Sequence, residues 1–429
     1  MLIGIDASRA NREHKSGTEW YSYYLIRWLA KLDSKNQYIL YTDKPLKSGL
    51  LNLTTKQYFT KYNNETDIKY NREGYQIIKS PYNNFRAKVL NWPFCFFWTL
   101  GRLSWEMLIH RPDVLFIPSH TLPIIYPEKT INTIHDVAFE RDRFIYRKDA
   151  MGPRGEILRK VISTFVKLST LGKYGANSMD YLSWSTRFAL KHAKIIITVS
   201  KFSKSEILAI YNAKEDKIKV IYNGYNKSLY CQTNEKERAD KVLKKYEIEE
   251  PYILYVGRLE KKKNTPLLIE AFAIARENKE IKQKLILIGD ASFGYDEVKD
   301  VINEYNLVND VIMPGWIEEE DLPYIFNRAT AFIFPSNYEG FGIPLLQAMA
   351  CKVPIAASSI PVLKEVAEDA ALFFNPNDAD SIAQSIKEII LNDKLREELI
   401  KKGNERVKEF SWEICARKTL EVINRLGES

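Results

Sequence analysis

Residues 339–350 read EGFGIPLLQAMA: a carboxylate, two glycines and a proline directly ahead of a small, apolar helix start. The strand-like run AFIFPS (331–336) stands just upstream. Glycines at 340 and 342 let backbone N–H groups approach a ligand closely. Pro344 suits the first turn of a helix, where its missing N–H costs nothing. The N–H groups of such a start face an anion, and the helix dipole contributes roughly 0.3–2 kcal/mol toward it. Glu339 is placed either to accept hydrogen bonds from sugar hydroxyls or to cap the helix, although it lies several residues before the helix proper. An apolar strand, a glycine-rich turn and a helix N-terminus form the repeating unit of an α/β sheet that binds ligands at its carboxyl edge.

The same unit recurs along the chain. Strand-like runs in the first half are LIGID (2–6), YILYT (38–42), YQIIK (75–79), DVLFIPS (113–119), KTINTIHD (129–136), IIITVS (195–200) and IKVIYNG (218–224). In the second half they are YILYVG (252–257), KLILIGD (284–290), VIMPGW (311–316), AFIFPS, PIAAS (354–358) and ALFFNP (371–376). Apolar strands alternating with amphipathic helices predict parallel sheets covered on both faces. Two such series in 429 residues predict two Rossmann-like domains, 1–223 and 224–405. A helix within 406–429, with Ser411 as its cap, is expected to return toward the N-terminal domain.

Composition narrows the function. With 45% hydrophobic and 28% charged residues the chain reads as globular. Four cysteines without a CxxC suggest neither a disulfide framework nor a zinc site, and fit a reducing cytoplasm. The N-terminus MLIGIDASR reads as a strand rather than a leader, and no run approaches a bilayer span. The net charge of +8 suits anionic partners, but no RNP, zinc-finger or basic-zipper signature points to nucleic acid. A dinucleotide-dependent oxidoreductase would need a G-x-G-x-x-G after a strand, which neither half has.

Three further places carry chemistry. Tyr21, Tyr24, Leu25, Trp28, Leu29 and Leu32 form an apolar helical stripe, introduced by a Ser16–Glu19 capping box with Gly17 inside the turn. Gly17 either admits an anion or merely eases a tight turn. VGRLEKKKN (256–264) sets Arg258 and Lys263 just beyond a strand, where they can neutralise a diphosphate; Lys261 and Lys262 read as a solvated turn. VIMPGWIEEEDLPYIFNRA (311–329) ends a strand at Gly315 and Trp316, which either reads a nucleobase or packs. DAD (378–380) imitates a metal-binding D-x-D but opens a helix and reads as a cap.

Taken in order, GTEWYSYYL, TIHDVAF, ITVSKFSKSEI, VIYNG, YVGRLEKKKN, VIMPGWIEEEDLPYIF, PSNYEGFGIPLLQAMA and FSWE resemble the retaining glycosyltransferases of family 4 over almost the whole chain. The resemblance implies the GT-B fold, two Rossmann-like domains with parallel sheets facing across a cleft. It implies transfer of a hexose from a nucleotide diphosphate without a catalytic metal or other cofactor. Arg258 and Lys263 would hold the diphosphate, with Gly257 beside them. Glu339 would bind hydroxyls of the transferred sugar, aided by the backbone of Phe341, Gly342 and Ile343. The backbone of Leu345 and Leu346 would meet the phosphates, and Trp316 and Ile317 would lie beside the base. His135, with Asp136 nearby, would face the sugar from the first domain; without the resemblance it reads as a satisfied histidine at a strand end.

Two departures stand out. Gln347 occupies the position of a second glutamate that grips the ribose, which predicts weaker nucleotide binding with chemistry retained, because charge-assisted hydrogen bonds are roughly twice as strong as neutral ones. A single Gly17 replaces a pair of glycines. TIHDVAF resembles the mannosyl- and rhamnosyltransferase branch, which favours GDP-mannose, with a UDP-hexose next. The expected acceptor is a glycan or lipid-linked oligosaccharide of surface-polysaccharide assembly. Two basic, aromatic segments, 85–108 and 147–194, are read as peripheral contacts with an anionic membrane, on the inner face of the cytoplasmic membrane; helix core is the other reading of Trp105. A non-catalytic nucleotide-sugar-binding protein is the rival from another class, with a GT-B epimerase or phosphorylase behind it.

Overall fold

The computed structural model describes residues 1–55, 68–94, 97–141, 163–164, 174–291 and 294–429. They form two compact units: the described residues up to Asn223 with Trp412–Ser429, and Gly224–Ser411. The first is built on strands β1 (Leu2–Asp6), β2 (Gln37–Thr42), β3 (Gln76–Ile77), β4 (Phe85–Val89), β5 (Val114–Ile117), β6 (Thr130–Ile134), β7 (Ile195–Thr198) and β8 (Ile218–Val220). They lie in the order β3-β4-β2-β1-β5-β6-β7-β8. All pairs are parallel except β3–β4. β5 and β6 are buried along their whole length, as apolar strands covered on both faces must be.

The second unit has β9 (Tyr252–Val256), β10 (Lys284–Ile288), β11 (Val311–Gly315), β12 (Ala331–Phe334), β13 (Ile355–Ser358) and β14 (Leu372–Phe374). Their order, β11-β10-β9-β12-β13-β14, is all parallel and reverses between β9 and β12. In the first sheet the reversal falls between β1 and β5. At a reversal the loops leaving adjacent strands diverge, which opens a crevice beyond their carboxyl ends. All thirteen sequence runs contain a strand, though YQIIK supplies only the two residues of β3.

Helix α1 (Gly17–Leu32) starts at the predicted capping box, with Glu19 accepting from both Ser16 N–H and its hydroxyl at 3.2 and 2.5 Å. Its buried face receives the last helix, Trp412–Glu428: Tyr24 stacks on Trp412 at 5.4 Å, and Asn36, just beyond α1, donates to Asn424 at 3.1 Å. The chain joins the first unit at Trp412 rather than at the sequence boundary of 406. The segment between is tied to the second unit: Arg406 donates to Glu365 O and Val366 O at 2.9 and 3.0 Å, and Phe410 packs on Phe341.

The segment 85–108 needs correction. Its first residues are β4, hydrogen-bonded into the sheet beside β2, and are not a free membrane-facing stretch. Beyond β4, Phe94 is 53% exposed, and α2 (Ser104–Ile109) turns apolar side chains outward: it buries Met107 and Glu106, while Trp105, Leu108 and Ile109 are 59%, 50% and 54% exposed. Trp105 is therefore not helix core. Of the second segment, Arg154, Arg159, Lys160, Lys167 and Lys173 lie outside the described residues.

Gly289, at the end of β10, has φ +146, and a Cβ there would stand 1.9 Å from Gly257 O. Gly289→Ala should therefore cost about 2–3 kcal/mol through strain and overpacking. Gly17→Ala, whose Cβ would meet nothing within 4 Å, should leave stability unchanged. Thermal melts of the two variants check this; equal melting temperatures would contradict the assigned packing.

Candidate functional site

In the second unit the crevice lies between the loops after β9 and β12. Gly257 and Arg258 leave β9; a tight turn over Lys261–Lys263 follows, ending at Asn264 in a left-handed conformation (φ 60) before the helix Thr265–Arg276. Asn264 is held there by donating to Pro376 O at 2.7 Å. The β12 loop is strapped to this turn by Asn337 N–H, which donates to Lys262 O at 3.3 Å. These local bonds bring Lys263 Nζ to 2.5 Å from Glu339 Oε1, which also accepts from the fully buried Ser336 hydroxyl at 2.7 Å. Glu339 is 8% exposed, so this is an ion pair largely withdrawn from water. Such pairs gain little net stability, because hydration lost on burial offsets the Coulomb attraction.

Arg258 is exposed, and its side chain has no ion-pair partner among the described residues. Its backbone carbonyl accepts from Tyr255 Oη at 2.9 Å. Gly342 (φ +99) precedes the helix Ile343–Ala350, with Pro344 in the first turn, as the sequence predicts. Phe341, Leu345 and Leu346 are buried, and Leu345 N–H donates to Gly342 O at 3.0 Å. Gln347 on the same helix is 8% exposed, and no described residue hydrogen-bonds its side-chain amide. Trp316 is 38% exposed and Ile317 is buried; both follow β11, the edge strand, and thus stand apart from the Lys263–Glu339 contact. Lys261 pairs with exposed Glu297, which fits a solvated turn. Asp378 caps the helix Ala379–Leu391 by accepting from Asp380 N and Ser381 N, as read from DAD.

In the first unit the polar residues gather beyond β5 and β6. His135 follows β6 and is 8% exposed; its Nε2 donates to Pro118 O at 3.1 Å. Its ring stands perpendicular to that of Tyr21 of α1, at 4.8 Å between centroids. Burial first, then His120 beside it, push the imidazole down to about 4, against the Pro118 carbonyl, Asp136 and Glu19. Asp136 uses Oδ1 to accept from Ala138 N at 3.1 Å and so starts the short helix Ala138–Arg141. Gly17 has ordinary backbone geometry and open space around it, so the turn itself does not demand glycine.

Sequence reasoning missed Ser336, Asn264, Asn337 and His120. The first three are a hydroxyl and two amides in loops that carried stronger signals from Glu339 and Lys263. His120 was legible only as a histidine one residue past the run DVLFIPS.

A family model described as Glycosyltransferase Family 4 matches residues 15–229, and one described as Glycosyl transferases group 1 matches 235–406. O-antigen chain mannosyltransferase B of Escherichia coli is 32% identical over 277 residues, 63% of this chain and 71% of that protein. O-antigen chain mannosyltransferase RfbU of Salmonella typhimurium is 31% identical over 209 residues, 49% of this chain and 54% of that one. Among solved structures, sucrose-phosphate synthase from Thermosynechococcus elongatus superposes with a TM-score of 0.69 at 18% identity, covering 99% of both chains. Anabaena HepE in complex with UDP and glucose gives 0.66 at 15% identity, again with 99% of both chains.

The buried imidazole predicts an acid limb of stability. An unfolded histidine takes up its proton near 6.5 and His135 only near 4, so between those values the unfolded chain binds more protons. Stability therefore falls as pH drops through this window, by up to about 3 kcal/mol for this one group. His135→Gln should flatten that limb, measured as melting temperature at several pH values; an unchanged slope would place the acid sensitivity elsewhere.

Proposed function

Because the chain belongs to glycosyltransferase family 4 and has the GT-B fold, we propose that it transfers a hexose from a nucleotide sugar to a glycan or lipid-linked acceptor with retention of configuration. GDP-mannose is the favoured donor and a UDP-hexose the next. The observation that carries this reading is the Lys263–Glu339 contact at the strand reversal. It sets a cation suited to a diphosphate within one hydrogen bond of a carboxylate suited to sugar hydroxyls. The two O-antigen mannosyltransferases support mannose, and the HepE complex supports a nucleotide sugar.

In this reading the diphosphate lies against Arg258, Lys263, Gly257 and the N–H groups that open the helix Ile343–Ala350. Glu339 holds sugar hydroxyls, Gln347 meets the ribose, and Trp316 and Ile317 flank the base. For the first unit taken by itself, His135, Asp136 and Gly17 are the residues proposed to meet substrate. The acceptor hydroxyl oxygen bonds to the anomeric carbon on the face that the diphosphate leaves. The old C–O electron pair departs with the nucleoside diphosphate, whose phosphate oxygen takes the acceptor proton. The reading needs no metal, because Arg258 and Lys263 supply the countercharge. Each such contact is worth about 2.7–4 kcal/mol of barrier.

Purified protein presented with a panel of nucleotide sugars and candidate acceptor lipids should release nucleoside diphosphate from one donor. Glu339→Ala should lower that rate by about a hundredfold or more, and Gln347→Glu should tighten donor affinity severalfold by restoring a charged acceptor. Binding without release under all conditions would favour the non-catalytic reading, with Gln347 as the cause.

The acceptor reading extends to an anionic lipid surface. Trp105, Leu108 and Ile109 follow i, i+3, i+4 spacing and so share one face of α2, with Ile124 also exposed and its N–H bonded to Ser104 of α2. Arg102 lies beside this face and pairs with the buried carboxylate of Glu106. Aromatic and aliphatic side chains beside cations suit a bilayer interface. No described helix is long and apolar enough to cross a membrane. The protein should sediment with phosphatidylglycerol vesicles at low salt, and Trp105→Glu with Leu108→Glu should abolish this; no sedimentation of the wild type would refute the contact.

A further inference from the structure

β5 and β6 are parallel neighbours, with Ile117 opposite Asn132, so the chain beyond each strand runs alongside the other. Past the strand ends, ladder bonds stop and backbone carbonyls need other donors. Three side chains supply them across the gap. His135, after β6, donates from Nε2 to Pro118 O at 3.1 Å, beyond β5. His120, after β5, donates from Nε2 to Asp136 O at 2.8 Å, beyond β6. Asn132 Nδ2 donates to Ser119 O at 2.7 Å. Each histidine thus fastens the backbone next to the other, their ring centroids 6.3 Å apart.

A carbonyl oxygen only accepts, so each ring carries its proton on Nε2 when neutral. For His135 that leaves Nδ1 as a lone-pair atom, and no described residue hydrogen-bonds to it. The His135 carbonyl is also held, by Ser203 Oγ at 3.1 Å, and Tyr21 closes one side of the ring. The groups facing His135 are therefore His120, Asp136, Glu19 and Tyr21.

We propose that His120 is a positioning residue for the transfer reaction: through the reciprocal latch with the 135–136 turn it fixes the place and tautomer of His135, so that a bare Nδ1 is presented to a substrate hydroxyl. This rests on the glycosyltransferase reading for the substrate, but the latch itself does not. Nothing in the sequence pairs the two histidines; only the parallel register does.

The test compares His120→Ala with His120→Gln, whose side-chain amide can replace an Nε2–H donor. In the alanine variant kcat should fall roughly tenfold to a hundredfold, the scale of a misplacement of about one ångström, with donor KM within about twofold. Long-range proton–nitrogen spectra of imidazole-labelled protein should show His135 solely as the Nε2–H form in the wild type and as a tautomer mixture in the alanine variant. Glutamine should restore both. An unchanged His135 signal in the alanine variant overturns the latch, whether or not kcat falls, and so does an unchanged kcat in an active enzyme. If His120→Ala fails to fold, His120→Asn, too short to reach the Asp136 carbonyl, takes its place. A wild type inactive with every donor and acceptor would refute the glycosyltransferase reading instead, while the spectra still decide the latch.

Discussion

Parallel strands that reverse their order must leave a crevice, and in the second unit everything polar in the site depends on how that crevice is bridged. Lys263 and Glu339 come from loops on its two sides and meet at 2.5 Å. Neither charge would tolerate such burial alone, since an unpaired buried ion costs several kcal/mol. Paired, they offset one another's desolvation, and the crevice keeps one cation and one carboxylate in contact. Ser336 fixes the carboxylate, and the Asn337–Lys262 backbone bond fixes the distance between the loops. Arg258 is exposed and has no ion-pair partner among the described residues.

The first unit solves the same geometric problem with neutral groups. Its strap across β5 and β6 is made of two imidazoles and one amide, each donating to a carbonyl that the sheet ladder has released. Burial keeps His135 neutral, which suits a ring whose work is to accept or donate single hydrogen bonds. A charged pair in one unit and neutral donors in the other are different answers to one requirement, that backbone and charge beyond a strand end be satisfied within the protein.

Where sequence reading failed, the reason was competition between signals. FRAKV alternates apolar and basic residues as a sheet strand does, yet the aromatic run after it drew the whole of 85–108 into a membrane reading. Its pairing with β2 is a long-range contact that no local pattern announces. For Trp105 helical spacing fits both core and surface; only the packing of Met107 and Glu106 decides which face is inward. The chain's late departure from the second unit at Trp412 follows from Arg406 and Phe410, whose partners lie far back in the sequence.

By itself the sequence determined the α/β class, the two series of strands, the capping box of α1 and the helix start after Gly342, and it pointed to Arg258, Lys263 and Glu339 beyond strand ends. All of these are local: strand and helix periods, turn residues, and residue types at fixed offsets from a strand end. The tertiary structure decided that Lys263 touches Glu339, that Ser336 and Asn337 hold them so, that Gly289 must be glycine, and that His120 faces the turn after β6. Those facts depend on strand order and register, and register is fixed by which apolar faces pack together across the whole sheet, which no short stretch of sequence contains.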